Sequence, residues 1–237
     1  MPKTLVIMPT YNERLNLEHS VEELFKHNKS LHLLIVDDNS PDETGELAEN
    51  LASKNDSIFV LHRKQKNGLG PAYLAGFEWA FARDYEFIVE MDADGSHRAA
   101  DLPALLERQD ADLVIGSRWI KGGAVLNWPF SRKLISKGGN LYTRLMLGTA
   151  VKDMTAGFRV YRRELLQKLE LGEVASHGYS FQVEMAWRSI QAKAKVVEVP
   201  ITFVERELGM SKMNTAIVLE ALWLVTKWGI ARILKFS

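Results

Sequence analysis

Short apolar runs that stop abruptly at polar clusters recur along this chain, and this alternation restricts the possible folds more than any other feature. Thr4 to Met8 is one such run and ends at Pro9, while Leu31 to Val36 ends at Asp37-Asp38-Asn39. Ile58 to Leu61, Tyr85 to Met91 and Leu113 to Ile115 repeat the pattern, the last ending at Gly116-Ser117-Arg118. Continuous apolar runs of this length suit strands buried on both faces of a parallel sheet. Between them, Leu15, Leu17, Val21, Leu24 and Phe25 fall at helical spacing. Ser40-Pro41-Asp42-Glu43 reads as a helix start, with Ser as N-cap and Pro at N1. Gly68 opens another helix through Tyr73, Phe77 and Phe81, and Pro103 with Leu102, Leu105 and Leu106 suggests a further one. Strands alternating with helices imply an α/β fold, a mostly parallel sheet flanked by helices. In such a sheet ligands bind beyond the carboxyl ends of the strands. Tyr11-Asn12-Glu13, Asp37-Asp38, Asp92–Asp94 and Ser117-Arg118 therefore gather at one edge.

Asp92-Ala93-Asp94-Gly95 is, taken alone, first of all a polar turn. Its place at a strand end among the other clusters makes it a candidate corner for a hard divalent cation, Mg²⁺ or Mn²⁺, which takes one or two carboxylates plus substrate phosphates. His97 beside it is expected to be structural, because such ions favour oxygen. The chain of 237 residues balances 30 Lys and Arg against 30 Asp and Glu, so no global basic field points to nucleic acid. It has no cysteine, which excludes disulfides, Cys-ligated zinc and Cys nucleophiles. The Gly68–Gly70 pair lacks the three-glycine fingerprint of a dinucleotide fold. The first residues enter a strand pattern without the form of a signal peptide, and no charge-free apolar stretch is long enough to span a bilayer.

After Arg118 the alternation stops. Ser131 to Leu147 reads as a helix carrying Arg132, Lys133, Lys137 and Arg144. Asp153 to Arg159 reads as a polar loop, Arg162 to Leu169 and Phe181 to Gln191 as helices, and Val196 to Val204 as one strand with Pro200 at an edge or irregular position. Glu205 to Lys212 is a polar loop. The organisation expected is one α/β domain over 1–212, which the resemblance given next makes the catalytic domain, and an amphipathic helix over 213–237. In that helix Leu219, Leu222, Trp223, Ile230 and Ile233 share one side. Packing on the protein's own core and docking on a membrane or partner fit this pattern equally well.

Taken together, these stretches resemble glycosyltransferase family 2, with its GT-A fold, and within it the dolichol- or polyprenol-phosphate mannose synthases. The resemblance rests on P-T-Y-N-E (Pro9 to Glu13), V-D-D-N-S-P-D (Val36 to Asp42), G-L-G-P-A-Y (Gly68 to Tyr73) and M-D-A-D-G-S-H (Met91 to His97). It continues with G-S-R-W (Gly116 to Trp119), N-W-P-F-S-R (Asn127 to Arg132) and D-M-T-A-G-F-R-V-Y-R (Asp153 to Arg162). The last matches are G-Y-S-F-Q-V-E-M (Gly178 to Met185) and E-V-P-I-T-F-V-E-R…S-K, from Glu198 to Lys212.

The resemblance implies transfer of mannose from GDP-mannose to a polyprenol or dolichol monophosphate, with inversion. It places the nucleoside at Pro9, Tyr11, Glu13, Val36 and Asp38. Asp92, Ala93, Asp94 and Ser96 match the diphosphate and metal corner, and Arg206 and Lys212 match a pair that clamps the donor phosphates. Arg118 and Arg132 match the residues that bind the acceptor phosphate, with Ser136 one helical turn on. Asp153 is a further candidate, as an orienter of acceptor or sugar. A UDP-sugar-dependent transferase acting on the same lipid phosphate and a nucleotide-binding module without catalysis are the alternatives. The expected setting is the cytoplasmic face of a membrane, touched without being crossed, with a membrane-protein partner or a fused membrane domain.

Overall fold

The computed structural model describes residues 3–174, 176, 179–206 and 215–235. Its centre is a seven-stranded sheet in the order β3-β2-β1-β4-β7-β5-β8. The strands are β1 (Thr4–Thr10), β2 (His32–Asp37), β3 (Ile58–His62), β4 (Phe87–Glu90), β5 (Leu113–Ser117), β7 (Arg159–Arg162) and β8 (Val196–Pro200). All neighbouring strands run parallel except at β7, which is antiparallel to both β4 and β5. Because side chains alternate across a strand, β1 feeds two cores. Leu5 and Ile7 join the core under α3 (Leu69–Phe81) and α7 (Tyr179–Gln191). Val6 and Met8 join the core under α1 (Arg14–His27), α2 (Thr44–Lys54) and α4 (Leu102–Leu106). All four residues are fully buried, which is why the run is apolar without alternation. The strand order reverses at β1, between β2 and β4, so the loops after β1 and β4 diverge there and leave a crevice at their carboxyl ends.

Three local outcomes differ from the sequence expectation. Helix α2 begins at Thr44, not at Ser40. The Asp37 carboxylate accepts both the Ser40 backbone N–H (3.1 Å) and its hydroxyl (2.6 Å), and this holds residues 40–43 in a loop. Thr44 then donates its N–H to Asp42 Oδ1 at 3.2 Å. The stretch expected as a loop through Arg159 instead leads into β7. Arg159 is fully buried, and its guanidinium donates to the carbonyls of Ala156 (2.8 Å) and Met154 (2.9 Å) and to Tyr161 Oη (3.1 Å). Charge at this position anchors the preceding loop, so a buried strand carries the residue type of an exposed one. The final strand is two. Pro200 ends β8 at the sheet edge, and β9 (Thr202–Val204) pairs with β6 (Ala124–Leu126) in a separate two-stranded sheet.

Two long helices close the molecule. α5 (Phe130–Leu147) and α8 (Thr215–Lys235) pack side by side, and α8 also touches α7. Tyr142 meets Thr226, Met146 meets Gly229 and Gly148 meets Arg232, so the two helices run in the same direction. Among the described residues no helix is long and apolar enough to cross a membrane.

Candidate active site

The loops after β1 and β2 form one wall of the crevice. Glu13 is buried ahead of α1; its N–H donates to Thr44 Oγ1 (3.1 Å) and its carboxylate accepts from Asn16 (3.0 Å). Asp37 is consumed structurally by Thr10 Oγ1 (2.9 Å) and Ser40. Its neighbour Asp38 pairs with Arg63 at 2.5 Å. Burial pushes the Asp38 carboxyl above its ordinary range, with the Arg63 cation opposing. Lys66 lies 3.9 Å from the centre of the Tyr11 ring. Pro9 stands opposite Val36 in the sheet. The Val36 side chain is fully buried in the core, so only its backbone faces a ligand beyond the strand end. The Ala93 side chain is likewise in the core, while its carbonyl accepts from Ser20 Oγ (2.9 Å).

The acidic corner follows β4, in a turn where Gly95 takes φ +75°. Asp94 Oδ1 accepts the Ser96 N–H at 3.0 Å, and Oδ2 lies 3.0 Å from Arg206. Burial alone would raise the Asp94 carboxyl, but hydrogen bonding from Ser96 and the Arg206 cation hold it below its ordinary range. The Asp92 N–H donates to His97 Nδ1 (3.1 Å), and the His97 ring stacks on Phe158 with centroids 5.1 Å apart. His97 therefore uses Nδ1 to hold the turn. Two carboxylates on one turn suit a hard cation. The Ser96 hydroxyl is buried beside the Asp94 carboxylate, so it offers a third oxygen. Among the described residues no three acidic or histidine side chains converge as a metal cage. The donor set thus fits an ion whose remaining ligands come from a diphosphate. Beneath the corner, Glu90 is fully buried, and burial pushes its carboxyl up to about 7.

Across the crevice stand the arginines. Asp153, wholly buried, accepts from Arg118 three times: backbone N–H (2.9 Å), Nε (2.8 Å) and Nη2 (2.7 Å). Thr155 Oγ1 accepts from Nη2 as well, at 2.9 Å. The loop holding Asp153 is itself pinned. Glu198 accepts the N–H groups of Lys152 (2.8 Å) and Asp153 (3.0 Å), and Asn140 Oδ1 accepts that of Met154 (2.8 Å). Arg132 pairs with Glu205, and its guanidinium lies 4.1 Å from the Trp128 ring centre. Asp153 thus holds the Arg118 guanidinium in place from a wholly buried position.

One cavity of about 300 Å³ joins these parts. At one end it is lined by Asp92, Asp94, Ser96 and Arg206, and in the middle by Arg118, Arg132 and Ser136. At the far end it runs between α5 and α8, past Ile135, Gly139, Thr143, Ala221, Leu222 and Val225. Seven expected residues are therefore brought together. Pro9, Tyr11, Glu13 and Asp38 stand outside this cavity, at the adjoining ends of β1 and β2. Lys212 lies outside the described residues. Arg63, Lys66, Glu205 and Gln182 were not singled out from sequence. Arg63, Lys66 and Glu205 meet partners far along the chain, and Gln182 and Glu205 lie within stretches that carry the family resemblance without marking them individually.

Comparison with known proteins gives a consistent picture. Residues 5–170 match the model for glycosyl transferase family 2. The chain is 52% identical over 231 residues to the polyprenol monophosphomannose synthase of Mycolicibacterium smegmatis, covering 96% of this chain and 87% of that one. It is 51% identical over 230 residues to the undecaprenyl-phosphate mannosyltransferase of Micrococcus luteus, covering 97% and 95%. Among solved structures it resembles glucosyl-3-phosphoglycerate synthase from Mycobacterium tuberculosis in complex with UDP, with a TM-score of 0.66 and 17% identity, covering 98% of this chain and 80% of that one. It also resembles a mannosyltransferase from Pyrobaculum calidifontis in complex with GDP-Man and Mn²⁺, with a TM-score of 0.59 and 14% identity, covering 97% and 73%. These similarities extend over the whole described fold, and the chain belongs to glycosyl transferase family 2.

Proposed function

We propose that this chain transfers mannose from GDP-mannose to a polyprenol monophosphate, at a membrane surface and with Mg²⁺ or Mn²⁺. One observation carries the reading: a single cavity is lined by an acidic corner, two arginines and apolar residues of two neighbouring helices. A sugar nucleotide needs the first part, an acceptor phosphate the second, and a lipid tail the third. The names of the two relatives about half identical to this chain support mannose as the transferred sugar and a polyprenol phosphate as the acceptor. Pro9, Tyr11, Glu13, Asp38 and the Val36 backbone would hold the nucleoside.

The acceptor phosphate is the nucleophile. With a second pKa of about 6 it is mostly dianionic at neutral pH, so no strong general base is required. Arg118, fixed by Asp153, and Arg132, with Ser136 one turn beyond it, bind and aim this phosphate. Its oxygen attacks the anomeric carbon as the bond from that carbon to the diphosphate breaks, and GDP leaves with the electron pair. The anomeric configuration inverts. Arg206 exchanges its contact with Asp94 for the departing diphosphate, with Lys212 as its expected companion. A divalent cation held by Asp92, Asp94 and Ser96 would supply further charge neutralisation to that leaving group. The deciding experiment is transfer of labelled mannose from GDP-mannose to polyprenol phosphate, with and without chelator. The expected result is a labelled lipid product that disappears with chelator and returns with Mg²⁺ or Mn²⁺. Transfer from a UDP-sugar but not from GDP-mannose would overturn the donor assignment.

A further inference from the structure

In any such transfer the sugar must lie between the diphosphate and the attacking phosphate. In this cavity that means between Asp92 with Arg206 and Arg118 with Arg132. The cavity wall between those groups includes Thr155, Gly157 and Gln182. Thr155 is engaged by Arg118 and Asn140. Gln182, from the first turn of α7, is only 1% exposed, yet its amide oxygen finds no hydrogen-bond partner among the described residues. A buried amide oxygen left unpaired costs free energy, so such groups are uncommon without a purpose. The amide nitrogen acts on the buried Glu90 carboxylate by hydrogen bonding, opposing the larger upward push of burial, which leaves the amide oxygen as the unpaired atom. A β-carbon placed on Gly157 would lie 3.9 Å from both Gln182 Nε2 and Asp92 Oδ2, so these three groups ring one spot on the cavity wall.

We infer that Gln182 reads the donor sugar, its amide hydrogen-bonding a hydroxyl of the hexose seated over Gly157. The inference rests on the sugar-nucleotide reading above. The chemistry suits it. A hydroxyl both donates and accepts, and a carboxamide offers one of each at fixed spacing. Gly157 suits it too, because a side chain there would occupy the space the sugar ring needs.

The test uses the full chain with Mn²⁺ and compares binding of GDP with binding of GDP-mannose by calorimetry. Gln182→Met keeps length and volume but removes the amide. Gly157→Ala adds one methyl, which meets only ordinary contacts, the nearest at 3.4 Å from His97. Each variant should weaken GDP-mannose about tenfold, the scale of one lost sugar hydrogen bond, while GDP stays within about twofold. If GDP and GDP-mannose weaken in parallel, or neither changes, Gln182 is a core amide and the inference fails. If Gln182→Met does not fold, Gly157→Ala decides alone. If the wild-type protein uses a UDP-sugar instead, the donor assignment fails, and the same variants measured with UDP and that UDP-sugar still decide the role of Gln182. A wild-type protein that binds no sugar nucleotide overturns both.

Discussion

Arg118 holds its charge where water has little access, and Asp153 is the counter-charge that permits this. The carboxylate fixes the guanidinium edge through Nε and Nη2. Lysine offers one point charge and cannot reproduce that fork. Arg118→Lys should therefore lower kcat/KM for the lipid acceptor about a hundredfold, or ~2.7 kcal/mol, while calorimetric GDP-mannose affinity stays within about threefold. Lost donor binding with unchanged acceptor kinetics would put Arg118 at the other substrate. Asp153→Asn keeps the shape but leaves a buried cation uncompensated. Urea unfolding should show a loss of about 3–5 kcal/mol, as for a buried pair broken on one side. At the acidic corner, Asp94→Asn should abolish metal-dependent turnover while metal-free GDP binding changes little. Full activity of this variant at limiting metal would remove Asp94 from the ion's ligands. Asp92, Asp94 and Arg118 were legible in sequence because they sit at strand ends, whereas Arg132, on α5, and Arg206 came only from the resemblance. Their partnerships were not. Asp38 with Arg63, Arg132 with Glu205 and Asp94 with Arg206 join residues that only the fold brings together.

Among the elements, those with one uniform environment were readable, and those with a mixed one were not. β1 and β2 are apolar on both faces along most of their length, as is β4 up to Glu90, and their runs announce them. β7 carries a buried arginine at its start and was hidden by it. The start of α2 was misplaced because Ser40, a good N-cap by type, is drawn to Asp37 instead. The contact of α5 with α8 depends on small residues that no periodicity reveals. A β-carbon on Gly229 would lie 2.7 Å from Met146 Cε and 3.0 Å from the Met146 carbonyl oxygen, the latter being backbone that cannot step aside. Gly229→Leu should therefore push α8 away from α5 and cost about 1–3 kcal/mol by thermal unfolding, the usual scale of overpacking. Because both helices line the far end of the cavity, acceptor kinetics should suffer more than GDP binding. Unchanged stability and unchanged acceptor kinetics would mean that the two helices are not held at this spacing.

For the whole molecule, the question open in the sequence was whether the last helix packs on the protein or faces a membrane. The structure packs one side of it on the protein and leaves another side exposed. Val225 is buried, and Gly229 meets α5. Leu219, Trp223, Ile230, Ile233 and Leu234 remain exposed. On α5, Phe130, Leu134, Ile135, Leu141 and Leu145 do the same. Exposed apolar surface gathered on two adjoining helices, rather than scattered singly, marks an interaction site. These helices are also where positive charge collects in a chain that is neutral overall. α5 carries Arg132, Lys133, Lys137 and Arg144 with no acidic residue, and α8 carries Lys227, Arg232 and Lys235 against Glu220 alone. Apolar burial plus attraction to anionic headgroups is how a helix lies in an interface without crossing it. A lipid acceptor held there could pass its phosphate toward Arg132 through the gap between the helices. Removing α8 is a poor test, since it would uncover Val225 and open the cavity. Surface substitution is better. Trp223 and Leu234 are 62% and 70% exposed, so replacing both with Glu should leave thermal stability and GDP binding unchanged. The wild-type chain should sediment with vesicles containing phosphatidylglycerol, less so at high salt, and the double variant should stay in the supernatant. Activity of the variant should fall on a long-chain acceptor and persist on a short, water-soluble one. If wild type and variant sediment alike, or if both acceptors are affected equally, this face does not dock on lipid.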